Sequence, residues 1–237
     1  YADATGFERD HHREFKWGFF GGDYQAEVEV IPSRNGVKTK DYVTGYVFND
    51  RDRDGRMDRR ERGIANVMVS NGYDVVRTDH RGFYKLPAKA RGLEDFTVFV
   101  TKPAGYQVPT DADNVPQFAY HHLPHGSPDL RFGGLPATGP QPESINFPMV
   151  RSQYKKSFKI AVSGDPQPYS NNEVGYVRDA LANELAARKD LEFVIIEGDV
   201  MGDDLGLYPR FKKIMSAADI PVYFVAGNHD LDFDAPS

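Results

Sequence analysis

Three short apolar runs in the last third of the chain are separated by stretches with helical periodicity. The runs cover residues 158–162, 193–196 and 222–225. Each is long enough for one buried strand, and each ends at a group of Gly, Asp or Asn residues. Strand, helix, strand, helix, strand at this spacing predicts a βαβαβ unit with a parallel sheet and right-handed crossovers.

Two helices are predicted between these strands. The first follows a capping signal at Asn171-Asn172, and its apolar residues recur at three- and four-residue steps: Val174, Val177, Leu181 and Leu185. A shorter helix is predicted to begin near Pro209, because proline suits the first helical turn. Its buried face would comprise Phe211, Ile214 and Met215.

From Gln25 onward the sequence shows the period of two that is typical of half-buried strands. Ala26, Val28 and Val30 alternate with polar residues. Short β-branched or aromatic runs follow, separated by Gly, Asp and Pro, at residues 42–48, 66–70, 73–77, 82–86 and 96–101. Their length and spacing predict a small antiparallel β-sandwich.

These patterns divide the chain into four parts. Residues 1–36 form an N-terminal segment, 37–141 the β-sandwich, 142–155 a linker, and 156–237 the beginning of the α/β domain. The linker is placed where the sequence is rich in Gly and Pro and shows no period.

Composition and charge narrow the class of protein. The chain has 40% hydrophobic and 27% charged residues, which is typical of folded globular proteins. A net charge of −6 argues against nucleic acid or an anionic membrane as the main partner, and no apolar run is long enough to span a bilayer. Cysteine is absent, which excludes disulfides and thiolate metal ligands.

Polar side chains follow the ends of all three predicted strands in the last third. Asp165 and Gln167 come after the first strand, Asp199 after the second, and Asn228 and His229 after the third. Because the carboxyl ends of parallel strands meet in one crevice, we expect these side chains to converge. Their chemistry predicts a metal site.

The three segments resemble the motifs of the calcineurin-like metallophosphoesterases. They are Asp165-Pro166-Gln167, Gly198-Asp199 with Asp203, and Gly227-Asn228-His229-Asp230. The superfamily carries Asp-x-His, Gly-Asp with a nearby Asp, and Gly-Asn-His-Asp/Glu on strand-to-helix loops. Asp-Pro-Gln departs from the commonest first motif, but all three segments occur in the expected order.

The resemblance implies a pair of divalent metals. Asp199 would bridge the two ions, Asp165 and Gln167 would bind one, and Asn228 would bind the other. An amide oxygen is a harder and more weakly binding donor than an imidazole nitrogen. Gln167 therefore favours manganese or magnesium at the first site, while iron and zinc stay open.

The resemblance also implies catalytic roles. His229 would stabilise the transition state or protonate the leaving oxygen, and Asp230 would hold the imidazole in the required tautomer. Asp203 would orient a metal ligand without binding metal itself. The alternative for Asp203 is a solvated acid at a helix start.

A twelve-residue calcium loop is predicted at residues 50–61, where Gly55 gives the sharp turn at position six. The ligands would be Asp50, Asp52, Asp54, the Arg56 carbonyl, Asp58 and Glu61. Arginines interleave with these acids, so the alternative is a surface loop of mixed charge. Because strands flank the loop, a bound calcium would have a structural role.

Residues 42–86 also resemble the β-sandwich domain at the N-terminus of some bacterial calcineurin-like phosphoesterases. Gly45-Tyr46-Val47-Phe48 and Gly82-Phe83-Tyr84-Lys85-Leu86 carry this resemblance. The histidines near residue 121 are not expected to share a metal, because His121 and His122 on a strand would face opposite sides.

Three functions are compatible with these patterns. The first is a metal-dependent phosphoesterase that hydrolyses a phosphate mono- or diester, of a small molecule or a lipid, with water activated between two metals. The second is a non-catalytic, calcium-stabilised surface or carbohydrate-binding β module with a degenerate metal domain. The third is an intracellular protein or nucleotide phosphatase. A periplasmic or secreted location is expected, with the cytoplasm left open.

The resemblance implies histidine ligands from a fourth motif and from a Gly-His-x-His fifth motif. His229 is the last histidine of this sequence. We therefore expect that the catalytic domain is truncated after its third motif and that its remainder is a required partner. This chain alone is expected to be inactive.

Overall fold

The computed structural model describes residues 28–33, 41–88, 94–127 and 131–231. Nine strands precede residue 152 in the described part of the chain. They are β1 (Glu29–Ile31), β2 (Tyr42–Asn49), β3 (Met68–Ser70), β4 (Val75–Arg77), β5 (Phe83–Pro87), β6 (Phe96–Val100), β7 (Tyr106–Gln107), β8 (Ala119–His122) and β9 (Ser144–Arg151). Ala26, which was expected to begin the first strand, lies outside the described residues.

These strands form two sheets over one apolar core. The first sheet has the order β1-β9-β2-β5, with β7 paired to β9, and the second has the order β4-β3-β6-β8. Both contribute side chains to the same buried cluster, which includes Val43, Val47, Val69, Leu86, Val98, Ile145, Phe147 and Met149. This arrangement is compatible with the predicted β-sandwich.

The linker expected at residues 142–155 was wrong, because Ser144–Arg151 forms the strand β9. This strand lies inside the first sheet, where β1, β2 and β7 all pair with it. Ile145, Phe147 and Met149 are fully buried. A strand with three neighbours and such a buried face belongs to the core of the β region.

The sequence predicts an antiparallel sandwich, but one strand pair in the described part of the β region is parallel. β2 and β9 pair in parallel, with Val47 opposite Phe147 and Asn49 opposite Met149. The remaining strand pairs of the two sheets are antiparallel. The parallel pair joins segments about 100 residues apart in sequence. It can therefore form only when the region between them is folded back so that the two strands meet.

A third sheet follows, with three strands paired in parallel in the order β10-β11-β12. The strands are β10 (Lys159–Gly164), β11 (Leu191–Glu197) and β12 (Val222–Val225). One face of this sheet packs against the intervening helices. The buried cluster there includes Val174, Leu185, Val194, Ile196, Phe211, Met215 and Val222.

The first helical connection contains α1 (Asn171–Val177), a π-helical stretch (Arg178–Ala182) and α2 (Asn183–Ala187). Its cap is Ser170 rather than the expected Asn171-Asn172, since the Ser170 hydroxyl accepts the Glu173 N–H. The second connection contains α3 (Tyr208–Met215), which has Pro209 in its first turn as predicted. Two short 3₁₀ turns complete it, Leu205–Leu207 and Ser216–Ala218, and a third, Asn228–Asp230, follows β12.

Polar and aromatic contacts join the third sheet to the β region. Asn114 accepts the Val222 N–H at 3.0 Å and donates its side-chain amide to the Ser216 carbonyl at 2.9 Å. The rings of Phe118 and Tyr223 have centroids 6.2 Å apart. None of the helices in the described part of the chain has the length and apolarity that crossing a bilayer requires.

The central position of β9 predicts a large penalty for truncating its buried side chains. Phe147→Ala should lower the free energy of unfolding by about 3–5 kcal/mol, because it leaves a cavity beneath two sheets. Phe158→Ala removes the same atoms from a side chain that is 56% exposed and should cost about 1 kcal/mol or less. Urea unfolding of both variants measures the difference. Equal losses would contradict the central role of β9.

Candidate functional site

The three parallel strands end at a common edge. Gly164 at the end of β10 lies opposite Glu197 of β11, and Glu197 lies opposite Val225 of β12. The loops that follow these residues carry the predicted metal ligands. The strand pairing therefore starts all three loops from one side of the sheet.

Backbone hydrogen bonds join the first two loops. The Gln167 N–H donates to the Asp199 carbonyl at 3.0 Å, and the Gly202 N–H donates to the Pro168 carbonyl at 3.0 Å. Each bond links the segment after β10 to the segment after β11. These two loops consequently form one connected surface.

The same loops hold several non-glycine residues in the left-handed backbone region. The φ angles are 45° at Asp165, 40° at Gln167, 39° at Asp199 and 69° at Asp203. This conformation costs L-residues about 1–2 kcal/mol each. Strained backbone of this kind concentrates at functional sites, where side chains must point in fixed directions.

The side chains of the predicted metal ligands have few internal partners. Asp199 Oδ1 accepts the His229 N–H at 3.0 Å. Within the described residues, Asp199 Oδ2 and the side chains of Asp165, Gln167 and Asn228 have no hydrogen bond. Asp165 and Asn228 are exposed, while Gln167 and Asp199 are half-buried. Their oxygen atoms remain available to an external group.

The third loop approaches the second so closely that it requires a glycine. A Cβ atom on Gly227 would lie 2.1 Å from Asp199 Oδ1 and 2.3 Å from its backbone nitrogen. No side chain can be accommodated at that separation. Gly227 thus allows the Asn228-His229 segment to lie against Asp199.

His229 pairs with Asp203 and not with Asp230. Its Nδ1 lies 2.7 Å from Asp203 Oδ1, with the two side chains 32% and 68% exposed. The hydrogen bond that the ring donates to the Asp203 carboxylate raises the pKa of His229, and the charges of Asp203, Asp199 and Asp230 act in the same direction. The predicted tautomer-holding role of Asp230 was therefore wrong, and Asp203 occupies that position.

Asp230 is instead a buried acceptor for the backbone. Its carboxylate accepts N–H groups from Val200 at 2.8 Å, Met201 at 2.7 Å and Gly227 at 2.8 Å. The residue has no exposed surface, and burial raises the pKa of its carboxyl while these N–H groups oppose the rise. Asp230 connects the loop after β11 to the loop after β12.

Tyr169 is a neighbour of the site that the sequence motifs did not indicate. Its ring meets the His229 ring edge-on, with centroids 6.4 Å apart, and is 53% exposed. A Cβ on Gly202 would overlap this ring at 2.7 Å. The only sequence signal was an aromatic residue two positions after Gln167.

The acidic loop at residues 50–61 brings part of its predicted ligand set together. One carboxylate oxygen from each of Asp50, Asp52 and Asp54 lies within 4.8 Å of the others. Asp50 is only 3% exposed. Asp58 and Glu61 do not belong to this group.

The loop also uses its carboxylates to hold its own backbone. Asp50 accepts N–H groups from Arg53 at 2.7 Å and Gly55 at 3.0 Å. Glu61 accepts those of Arg51 at 2.6 Å and Asp58 at 3.3 Å. These bonds fix the path of the loop backbone.

Burial raises the pKa of the Glu61 carboxyl, and the charges of Asp50 and Asp52 add to the rise, while its backbone hydrogen bonds oppose it. Negative charges in a partly desolvated loop favour a bound cation, because a cation neutralises all of them together.

The histidines near residue 121 make separate contacts. His121 Nδ1 lies 2.9 Å from Thr97 Oγ1, whereas His122 Nδ1 lies 3.0 Å from Thr138 Oγ1. Burial lowers the pKa of His122 to about 4. His122 is therefore a neutral core residue at pH 7.

Residues 51–132 match a family model described as the N terminal of calcineurin-like phosphoesterase. The matched range begins in the acidic loop and ends before β9. This match supports the resemblance of the chain to the calcineurin-like phosphoesterase superfamily.

Curated relatives align over a similar share of the chain. Serine-aspartate repeat-containing protein C from Staphylococcus aureus strains Newman, USA300 and COL is 36% identical over 94 residues. The alignment covers 37% of this chain and 10% of each relative, so the chain spans about a tenth of their length. No solved structure matches the chain.

The pairing of His229 with Asp203 predicts a specific pH response. Asp203→Asn should lower the pKa of His229 towards the ordinary value of about 6.5, because it removes the acceptor charge. In the wild-type protein, the stability from this pair should be complete below pH ~6.5 and be lost as pH rises through the raised pKa. NMR titration of the His229 ring measures the shift.

Asp204→Asn is the matched control, because it removes a neighbouring charge while the Asp203 contact stays in place. An unchanged His229 pKa in the Asp203→Asn protein would contradict the pairing.

Proposed function

We propose that this chain provides part of a metal-dependent phosphoesterase that hydrolyses a phosphate mono- or diester. The observation that carries the proposal is the set of oxygen donors at the carboxyl edge of the parallel sheet. Asp165, Gln167, Asp199 and Asn228 stand on strained or closely packed loops, and most of their side-chain oxygens have no internal partner. The match of residues 51–132 to the N-terminal part of calcineurin-like phosphoesterases supports the same superfamily.

The donor set suits hard divalent cations. Carboxylate and amide oxygens are the ligands preferred by magnesium and manganese. Asp199 uses one carboxylate oxygen to accept the His229 N–H and keeps the other available, which fits its proposed bridging role. We therefore assign Asp165 and Gln167 to one ion, Asn228 to the other, and Asp199 to both.

When bound, such ions would lower the pKa of a coordinated water and neutralise phosphate oxygens. His229 would supply the proton to the leaving oxygen. Its Nδ1 is engaged by Asp203, so Nε2 is the ring atom available to the substrate. The raised pKa of His229 favours the protonated ring that this role requires.

Removal of the bridging charge should weaken metal binding and abolish hydrolysis. Asp199→Asn should weaken Mn²⁺ binding by at least about tenfold, measured by calorimetry on this chain, because a carboxylate ligand is lost. In the native protein that carries this chain, the same change should remove Mn²⁺-dependent hydrolysis of 4-nitrophenyl phosphate and of its bis-ester. Tyr169→Phe should have a mild effect, because it keeps the ring beside His229.

Asp219→Asn is the charge-matched control, because Asp219 lies at the opposite end of the sheet, before β12. Wild-type Mn²⁺ affinity in the Asp199→Asn protein would refute the metal site. Unchanged hydrolysis would refute the catalytic assignment.

A second function is favoured by the acidic loop. We propose that residues 50–61 bind a structural calcium ion that stabilises the β region, whether or not the chain is catalytic. The Asp50, Asp52 and Asp54 oxygens already lie within 4.8 Å of one another. Asp58, Glu61 and the Arg56 carbonyl would complete the predicted set after a local adjustment of the loop.

Asp52 gives the sharpest test of this calcium site. Within the described residues its carboxylate accepts no hydrogen bond, so Asp52→Asn should not lower the calcium-free melting temperature. Calcium at a hundred times its Kd should add about 2.7 kcal/mol to wild-type folding and much less to the variant. Calorimetric melting with calcium and with chelator measures both effects.

Asp74→Asn is the control, because it removes an exposed acid outside the loop. Glu61→Gln should reduce the calcium response and also lower the calcium-free stability, because Glu61 holds two backbone N–H groups. An equal calcium response in wild-type and Asp52→Asn proteins would refute the site.

A further inference from the structure

A cavity of about 730 Å³ lies between the acidic loop and the end of β9. Its lining is dominated by arginine: Arg51, Arg53, Arg60, Arg62 and Arg151, with Tyr106 beside them. Asp50 is the one acid of the lining. Five guanidinium groups around one cavity are unexpected in a chain whose net charge is −6.

The acids of the neighbouring loop do not neutralise these arginines. Four of the five acids of this loop accept N–H groups of its backbone instead, whereas Asp52 makes no hydrogen bond within the described residues. Besides the bonds of Asp50 and Glu61, Asp54 accepts the Arg56 N–H at 2.8 Å and Asp58 accepts the Arg60 N–H at 2.6 Å. The loop thus engages most of its carboxylates with its own backbone, while its arginines are exposed.

The five guanidinium groups have no acidic partner among the residues that the structure describes. All five residues are exposed, and none has an ion pair with another residue in the described part of the chain. Arg151 lies over the Tyr106 ring with its Cζ 5.5 Å from the centroid, a contact that orients the side chain but leaves its N–H groups free.

The backbone that carries these arginines is held firmly. The Asp50 N–H donates to the Met149 carbonyl at 2.9 Å, and the Asn49 N–H donates to the Arg62 carbonyl at 2.9 Å. Both ends of the loop are therefore attached to the first sheet. Arg151 is the last residue of β9 in the same sheet.

We propose that this cavity binds a compact polyanion with two or more phosphate groups. Guanidinium groups recognise phosphate through paired hydrogen bonds, and five of them exceed what one phosphate can satisfy with its few free oxygens. The site is concave, so a compact ligand can enter it and contact all five arginines. The flat surface of a bilayer would contact only the arginines at the rim. The inference does not depend on the proposed hydrolysis, because different residues form the cavity.

The test is calorimetric titration of the whole chain with tripolyphosphate in calcium-free, low-salt buffer. We expect binding with a dissociation constant below 1 mM (about −4 kcal/mol). Arg62→Gln with Arg151→Gln should weaken it at least about tenfold. Arg62→Lys with Arg151→Lys should give an intermediate loss, because lysine keeps the charge but not the paired hydrogen bonds.

Arg77→Gln with Arg81→Gln is the matched control, because it removes two exposed arginines outside the cavity and changes net charge equally. Its effect should be less than about twofold. Equal losses in the two glutamine variants would overturn the proposal, since net charge alone would then explain binding. Thermal melting verifies that each variant is folded. If the double glutamine variant does not fold, the double lysine variant tests the cavity instead.

Phosphatidylglycerol vesicles distinguish a membrane from a compact ligand. We expect that vesicles do not bind measurably or are displaced by tripolyphosphate through the same arginines. Vesicle binding that tripolyphosphate cannot displace, or no tripolyphosphate binding at 1 mM, would overturn the proposal.

Discussion

The geometry of the strand-end site depends on one buried carboxylate. Asp230 is fully buried and accepts three backbone N–H groups from two different loops. Burying a carboxylate is unfavourable unless hydrogen bonds compensate it, and these three bonds do so only when both loops adopt their native paths. Tyr208 adds a contact from α3, with its hydroxyl 3.4 Å from Asp230 Oδ1. The same side chain therefore couples the helix, the second loop and the third loop.

The strained backbone of the site follows from this coupling. Asp199 lies directly before the two residues whose N–H groups Asp230 holds, and Gly227 presses against it from the other side. A left-handed residue persists only where its surroundings fix it. At this edge of the sheet, the strained backbone lowers stability but fixes the direction of the proposed ligands. The acidic loop is held in a similar way, by carboxylates that accept nearby N–H groups.

The elements with a clear period were predictable from the sequence, whereas β9 was not. Ile145, Phe147 and Met149 alternate as a strand requires, but Pro148 and the surrounding glycines and prolines indicated a linker. Proline usually occupies edge strands because it lacks an N–H donor, yet Pro148 is buried inside the first sheet. The third motif follows its strand directly, and this position predicted that its residues lie at the sheet edge. The partner predicted for His229 was wrong, because neighbouring side chains in a tight turn point in different directions.

The parallel pairing of β2 with β9 has a consequence for the nascent chain. Val47 cannot meet Phe147 until about 100 further residues have been added, which takes roughly 5–20 s at ordinary rates of synthesis. The antiparallel pair of β2 and β5 can form much earlier, and until β9 is made the other edge of β2 stays unpaired. Long-range pairing of this kind slows folding and exposes a strand to aggregation. The β region should therefore fold late for its size, and a chaperone that covers the waiting edge of β2 would protect it.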